Sequence, residues 1–217
     1  DSILGAGMSV TVYDTGFSRV DHVWSRDDSG KATFTQYHYD ANGTLVYTVS
    51  GSDRTEVENI SGVTVDNVSS LTASQIESIL SAGMSLAVYD AAEKRIDHTW
   101  ARTENGSVSF TSYNYDALGR LVYTISGDTR SAVEGVSGVT VDNVSNLTEL
   151  EIDSILSAGM SIAVYDTLNT RVDYVWSRNS GGDISFTQYN YNSSGKLTYT
   201  VTGTNRDDVD DFDGIAV

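Results

Sequence analysis

Arg19-Val20-Asp21-His22-Val23-Trp24-Ser25-Arg26 returns as Arg95-Ile96-Asp97-His98-Thr99-Trp100-Ala101-Arg102, and again as Arg171-Val172-Asp173-Tyr174-Val175-Trp176-Ser177-Arg178. Each return comes 76 residues later, from 19 to 95 and from 95 to 171. Met8, Met84 and Met160 keep the same step, as do Tyr13, Tyr89 and Tyr165, so no insertion separates the copies. One unit is written three times: residues 1–65, which lack the start of a helix, then 66–141 and 142–217. A unit of that size sits near the lower limit for an independent core, so the copies are expected to lean on one another.

Read as a strand, the octapeptide sends Val20, His22 and Trp24 to one face and Arg19 and Asp21 to the other, because alternate side chains point to opposite sides. Working outward from it, the first copy predicts strands at about 9–14, 19–26, 32–40 and 45–50. Asp27-Asp28-Ser29-Gly30 and Asp40-Ala41-Asn42-Gly43 open on Asp and close on Gly, as do or nearly do their counterparts. That grammar suits short turns between antiparallel strands, and the connections are too short for parallel crossovers. Thr72-Ala73-Ser74-Gln75 and Thr148-Glu149-Leu150-Glu151 read as capping boxes. Each starts an amphipathic helix of about ten residues, with Gly83 or Gly159 as the stop. Gly62-Val63-Thr64-Val65 and Gly138-Val139-Thr140-Val141 read as a short fifth strand, and Asp213-Gly214-Ile215-Ala216-Val217 matches them. The expected class is α+β: three tandem repeats, each an antiparallel β-meander of about four strands with one short amphipathic helix. Both ends then look cut from a longer array, the alternative being open ends that join head to tail between molecules.

Alternation divides each strand into two faces. Val10, Val12, Val20, His22, Trp24, Phe34, Leu45, Tyr47 and Val49, with their counterparts, form the expected core, and a histidine there is a packing residue before it is a catalytic one. The other face carries Tyr13, Tyr37, Tyr39, Tyr89, Tyr113, Tyr115, Tyr165, Tyr189 and Tyr191 among threonines and serines. Such a face can stack on a sugar ring or a protein surface, or can simply be solvated strand. Nine of the ten arginines recur in register. Arg19 with Asp21, Arg95 with Asp97 and Arg171 with Asp173 are the expected structural pairs, each contributing at most about 1 kcal/mol at a surface.

A net charge of −17 argues against nucleic acid and anionic membranes and favours cations and basic surfaces. Without cysteine there is neither a disulfide framework nor thiolate chemistry. No apolar run approaches the roughly 18 residues of a membrane span, so membrane insertion is not expected. Seven Asn-x-Ser/Thr sequons occur in a chain already rich in these residues. A nucleophile with its base, a metal-spaced histidine cluster and a phosphate loop are all missing from the sequence. The metal candidates are Asp207, Asp208, Asp210, Asp211 and Asp213, which fail the EF-hand spacing and would hold calcium only irregularly.

Tyr39-Asp40-Ala41-Asn42-Gly43-Thr44-Leu45 and Tyr115-Asp116-Ala117-Leu118-Gly119-Arg120-Leu121 resemble the YD hairpins of bacterial RHS-type cell-surface and toxin-shell proteins. The resemblance covers about a dozen residues per unit and departs in the third copy at Asn192 and Lys196. It implies a bacterial, extracellular or cell-surface setting. The functional expectation is a non-enzymatic structural or adhesive segment of a secreted surface, filament or matrix protein, with other copies of the array as partners. The alternative is a multivalent lectin that binds glycans through the tyrosine face.

Overall fold

A computed structural model describes residues 4–16, 19–168 and 171–210. Twelve strands follow the chain: β1 Ser9–Tyr13, β2 Val20–Arg26, β3 Ala32–Tyr39, β4 Leu45–Gly51, β5 Ser85–Tyr89, β6 Ile96–Arg102, β7 Val108–Tyr115, β8 Leu121–Gly127, β9 Ser161–Asp166, β10 Arg171–Arg178, β11 Ile184–Tyr191 and β12 Leu197–Gly203. Five short helices lie between or after them: α1 Arg54–Glu58, α2 Ala73–Ile79, α3 Arg130–Glu134, α4 Glu149–Ile155 and α5 Arg206–Asp210. Among the described residues the strands are ordered β1 to β12 in one sheet, and β1 through β6, like β8 through β12, pair antiparallel in sequence order. The chain divides into two compact units, one ending at Phe110 and the other starting at Thr111.

This overturns the α+β expectation of three tandem repeats, each a four-strand meander with its own helix. The protein is mostly β, a single antiparallel meander, because the last strand of one copy pairs with the first strand of the next: β4 with β5 and β8 with β9. A free edge exposes unpaired backbone groups, so continuing the ladder satisfies them at no topological cost. The helices are only five or seven residues long and cannot form a layer of their own.

The capping boxes form as read. Thr72 and Thr148 accept from the backbone N–H groups of Gln75 and Glu151, whose side chains reach back to the cap. Both helices end sooner than expected, at Leu80 and Leu156, whose backbones are extended. Gly83 therefore belongs to the turn that closes Ser81 onto Met84. The proposed fifth strand is instead a turn. The Asn67 carboxamide accepts from Thr64 N–H at 2.9 Å and donates to Gly62 O at 2.9 Å, and Asn143 repeats this with Thr140 and Gly138. The matching stretch 213–217 lies outside the described residues.

The core lies on the tryptophan side. Phe34, Val49, Leu86 and Trp100 are fully buried in the first unit, as are Ile162, Trp176 and Phe186 in the second. In the first unit α1 rests on β3 and β4 and α2 on β6; in the second α3 rests on β8 and α5 on β11 and β12. At the joint between copies the backbone must come close. A Cβ on Gly51 would lie 3.0 Å from Met84 Cγ and 3.1 Å from Val57 Cγ2, and Gly127 faces Met160 and Val133 in the same way.

Bulges modify the simple alternation. Val88 faces His98 while Tyr89 faces Ile96, so Asp97 is an extra residue; Asp21 and Asp173 hold the same place. A second bulge leaves Val46 and Thr198 unmatched, which places Leu45 and Leu197 opposite Tyr39 and Tyr191. Bulges of this kind re-aim side chains within a strand. Leu45 at this bulge is half-buried and Leu197 at the same bulge is exposed, although strict alternation assigns both to the core.

Candidate functional site

Side chains of the non-core face form rows across neighbouring strands, spaced by the roughly 4.8 Å between strands. In the first unit one row runs Thr35, Ser50, Ser85, Ala101 and the next Tyr37, Thr48, Ala87, Thr99. In the second unit Ser126, Ser161, Ser177 and Ser185 continue from Thr111. Hydroxyls along these rows bond to one another: Thr35 to Ser50 and Thr111 to Ser126 at 2.8 Å, Thr187 to Thr202 at 2.9 Å. Each bond uses hydrogen-bonding capacity that a ligand would otherwise meet.

The nine tyrosines do not form one platform. Tyr13 is exposed, and the other eight are half-buried. Tyr39 donates its hydroxyl to Val20 O at 2.8 Å and Tyr191 to Val172 O at 2.7 Å. Their rings carry Arg19 at 4.7 Å and Arg171 at 4.3 Å, a cation–π arrangement that occupies the ring face. Burial raises the Tyr37 phenol above its ordinary range, with the neighbouring Tyr89 phenol adding to it. On the core side, the His38 ring stacks on Tyr47 at 4.2 Å, and burial lowers its pKa. His98 is buried, tilted against Phe110, with Nδ1 2.6 Å from an Asp97 carboxylate oxygen.

The periodic arginines act as ties. Arg19 meets Asp14 at 3.5 Å and Arg171 meets Asp166 at 3.7 Å, while Arg95 is paired with Glu93. Asp21 and Asp97 bond to the histidines beside them, and Asp173 stands exposed at its bulge. Arg102 donates to the carbonyls of Glu77 and Leu80, both at 2.7 Å, closing the C-terminal end of α2. Arg178 donates to Asp153 O at 2.6 Å at the end of α4. Orphan carbonyls and the negative end of a helix favour a cation there. Arg54, Arg130 and Arg206 pair along their helices with Glu58, Glu134 and Asp210.

Asp14, Asp90 and Asp166 repeat at the same step as the arginines, a signal that could have identified two of these partners. The helices α1, α3 and α5 were also missed, although Asp53 and Thr129 are ordinary N-caps and Val57, Val133 and Val209 are buried. At the acidic tail Asp208 bonds Asn205 and Asp210 pairs with Arg206, while Asp211 and Asp213 lie outside the described residues. Among the described residues no group of three or more acidic or histidine side chains could hold a metal ion, and no helix is long and apolar enough to cross a membrane.

No protein-family profile matches the chain, and no curated protein does. Among solved structures, the one titled "Crystal Structure of TcdB2-TccC3-TEV" is 10% identical over 91% of this chain and 11% of that one, with a TM-score of 0.19. A Bacteroides fragilis protein of unknown function is 10% identical over 90% of this chain and 91% of that one, with a TM-score of 0.14. The chain thus spans about a tenth of the first protein's length, and likenesses at these TM-scores carry no argument about fold or function. The YD-hairpin resemblance stands on its own residues. There Asp40 accepts from Asn42 N–H at 2.9 Å and Thr44 N–H at 2.8 Å, and Asp116 does the same for Leu118 and Arg120.

Proposed function

We propose that this chain is a non-enzymatic structural or adhesive repeat segment of a secreted bacterial surface, filament or matrix protein. One observation carries the proposal: the two joints between copies share a register. Tyr47, Thr48, Val49 and Ser50 face Val88, Ala87, Leu86 and Ser85; Tyr123, Thr124, Ile125 and Ser126 face Val164, Ala163, Ile162 and Ser161. A joint that recurs residue for residue suits extension by whole repeats, where stability is a sum of units and nearest-neighbour contacts. The internal use of Tyr39, Tyr191 and the arginines supports a structural role over a ligand-binding one. The YD-hairpin resemblance and the acidic, cysteine-free composition support the extracellular setting.

The test is a series of proteins lengthened by one 76-residue unit at a time. Small-angle scattering should give a constant increment in maximum dimension per unit, and surface labelling of the producing bacterium should reach the protein on intact cells. Increments that vanish as units are added would refute the spacer role. Calcium, as a counterion to the 30 carboxylates, should raise the melting temperature. An unchanged melting temperature at millimolar calcium removes the cation from the proposal.

A further inference from the structure

The chain's three histidines, His22, His38 and His98, all lie in the first unit, on the core face of β2, β3 and β6. The second unit has none. Asn114 and Asn190 stand at the place of His38, and Tyr174 stands at the place of His98. The exchange changes the hydrogen bonding beneath the sheet. Tyr174 donates its hydroxyl to Val144 O at 3.0 Å, whereas Nε2 of the fully buried His98 has no partner among the described residues. His38 Nε2 is likewise buried with no partner there, on a ring stacked on Tyr47 at 4.2 Å. A buried polar atom left unpaired costs free energy, and a buried charge left unpaired costs more.

We propose that mild acid loosens the first unit ahead of the second, with His38 as the group that senses it. A neutral imidazole carries hydrogen on one nitrogen and the cation on both, so protonation puts an Nε2–H where no acceptor stands. Burial lowers the His38 pKa from its ordinary value, and the Asp21 carboxylate opposes this without cancelling it. β2, β4 and α1 pack on β3. Their other titratable groups are His22 and Arg26 in β2, Tyr47 in β4, and Arg54, Glu56 and Glu58 in α1. His22 is bonded to Asp21, Arg54 is paired with Glu58, Glu56 is exposed, and burial raises the Tyr47 phenol, which stays neutral. None of them is an acceptor for His38 Nε2. An unfolded histidine titrates at about 6.5 and takes up its proton before the folded one does. The stability is therefore whole above about pH 6.5 and is lost as pH falls through the folded value. In the second unit Asp173 works in the opposite sense. Desolvation and the Asp166 charge raise its pKa, so acid favours its folded form.

Amide NMR of the full chain through a urea series, at about pH 7.5 and about pH 5, reads the two units residue by residue in the range where histidine changes charge. Signals of β3 to β6 should lose about 0.5 M or more of their urea midpoint, roughly a threefold loss in the folding constant, and those of β8 to β11 less than half as much. His38→Asn installs the residue of the other two copies and should remove most of the fall in the first unit. In the wild type, which needs no variant to fold, the His38 ring signal should titrate below about 6.5. A ring that titrates at or above that value overturns the proposal. Equal falls in the two units overturn it as well, and so does an undiminished fall in a folded His38→Asn.

Discussion

The three methionines at the start of each copy offer the same side chain in two environments. Met84 and Met160 are 3% and 2% accessible, packed onto Gly51 and Gly127, while Met8 is 50% accessible. Truncating a buried methionine to alanine costs about 2–5 kcal/mol, from lost transfer energy and the cavity left behind. An exposed one costs about 0.5 kcal/mol or less. A loss of about 3 kcal/mol, at a urea m-value of about 1.5 kcal/mol/M, moves a midpoint by about 2 M. Met84→Ala should therefore lower the midpoint of the first unit and Met160→Ala that of the second, each followed by tryptophan fluorescence. Met8→Ala should move neither by more than about 0.3 M. In addition, Gly51→Ala should destabilise in the wild type and be partly relieved when Met84 is already alanine, since the added Cβ would press on Met84 Cγ. Equal shifts for all three methionines would refute the claim that the joints bury Met84 and Met160 while Met8 stays exposed.

Thr72→Ala and Thr148→Ala should each cost about 1 kcal/mol in chemical denaturation by opening a capping box, and a loss within error would deny those helices a role in stability. Burial pushes the Tyr174 phenol up to about 12, against the opposing effect of Arg206, while an unfolded tyrosine titrates near 10. Its contribution is whole below about pH 10 and is lost as pH climbs through about 12, so Tyr174→Phe should flatten that part of the alkaline fall in the urea midpoint. The fall should not vanish, because burial also raises Tyr47 and Tyr123. Tyr37→Ala, Tyr113→Ala and Tyr189→Ala combined address the lectin alternative. Wild-type binding on a glycan array that this triple variant abolishes would displace the spacer proposal; an empty array is the expected result.

The period and the strands were legible because side-chain alternation and turn glycines are local signals. The capping boxes were legible for the same reason: Thr72 and Gln75 are three residues apart. What the sequence hid was non-local or broke its own period. Whether Val49 meets Leu86 across a joint or faces solvent at the end of a separate meander depends on pairing between copies, which alternation does not encode. Asp97 obeys alternation in the sequence but is the extra residue of a bulge, and so bonds His98. The surface lesson is similar. Tyrosines and threonines that look available in the sequence spend their hydroxyls on Val20, Val172 and one another.

Each 76-residue period contributes four strands, and four is even. In the first unit β1 and β5 therefore run in the same direction, and the tryptophans of β2 and β6 fall on the same side of the ladder. With an odd number, successive copies would begin in opposite directions and a joint learned once could not be used again. Even parity makes whole-repeat gain or loss by unequal recombination silent to the fold. Length becomes a quantity that selection can adjust in the gene without inventing a new contact.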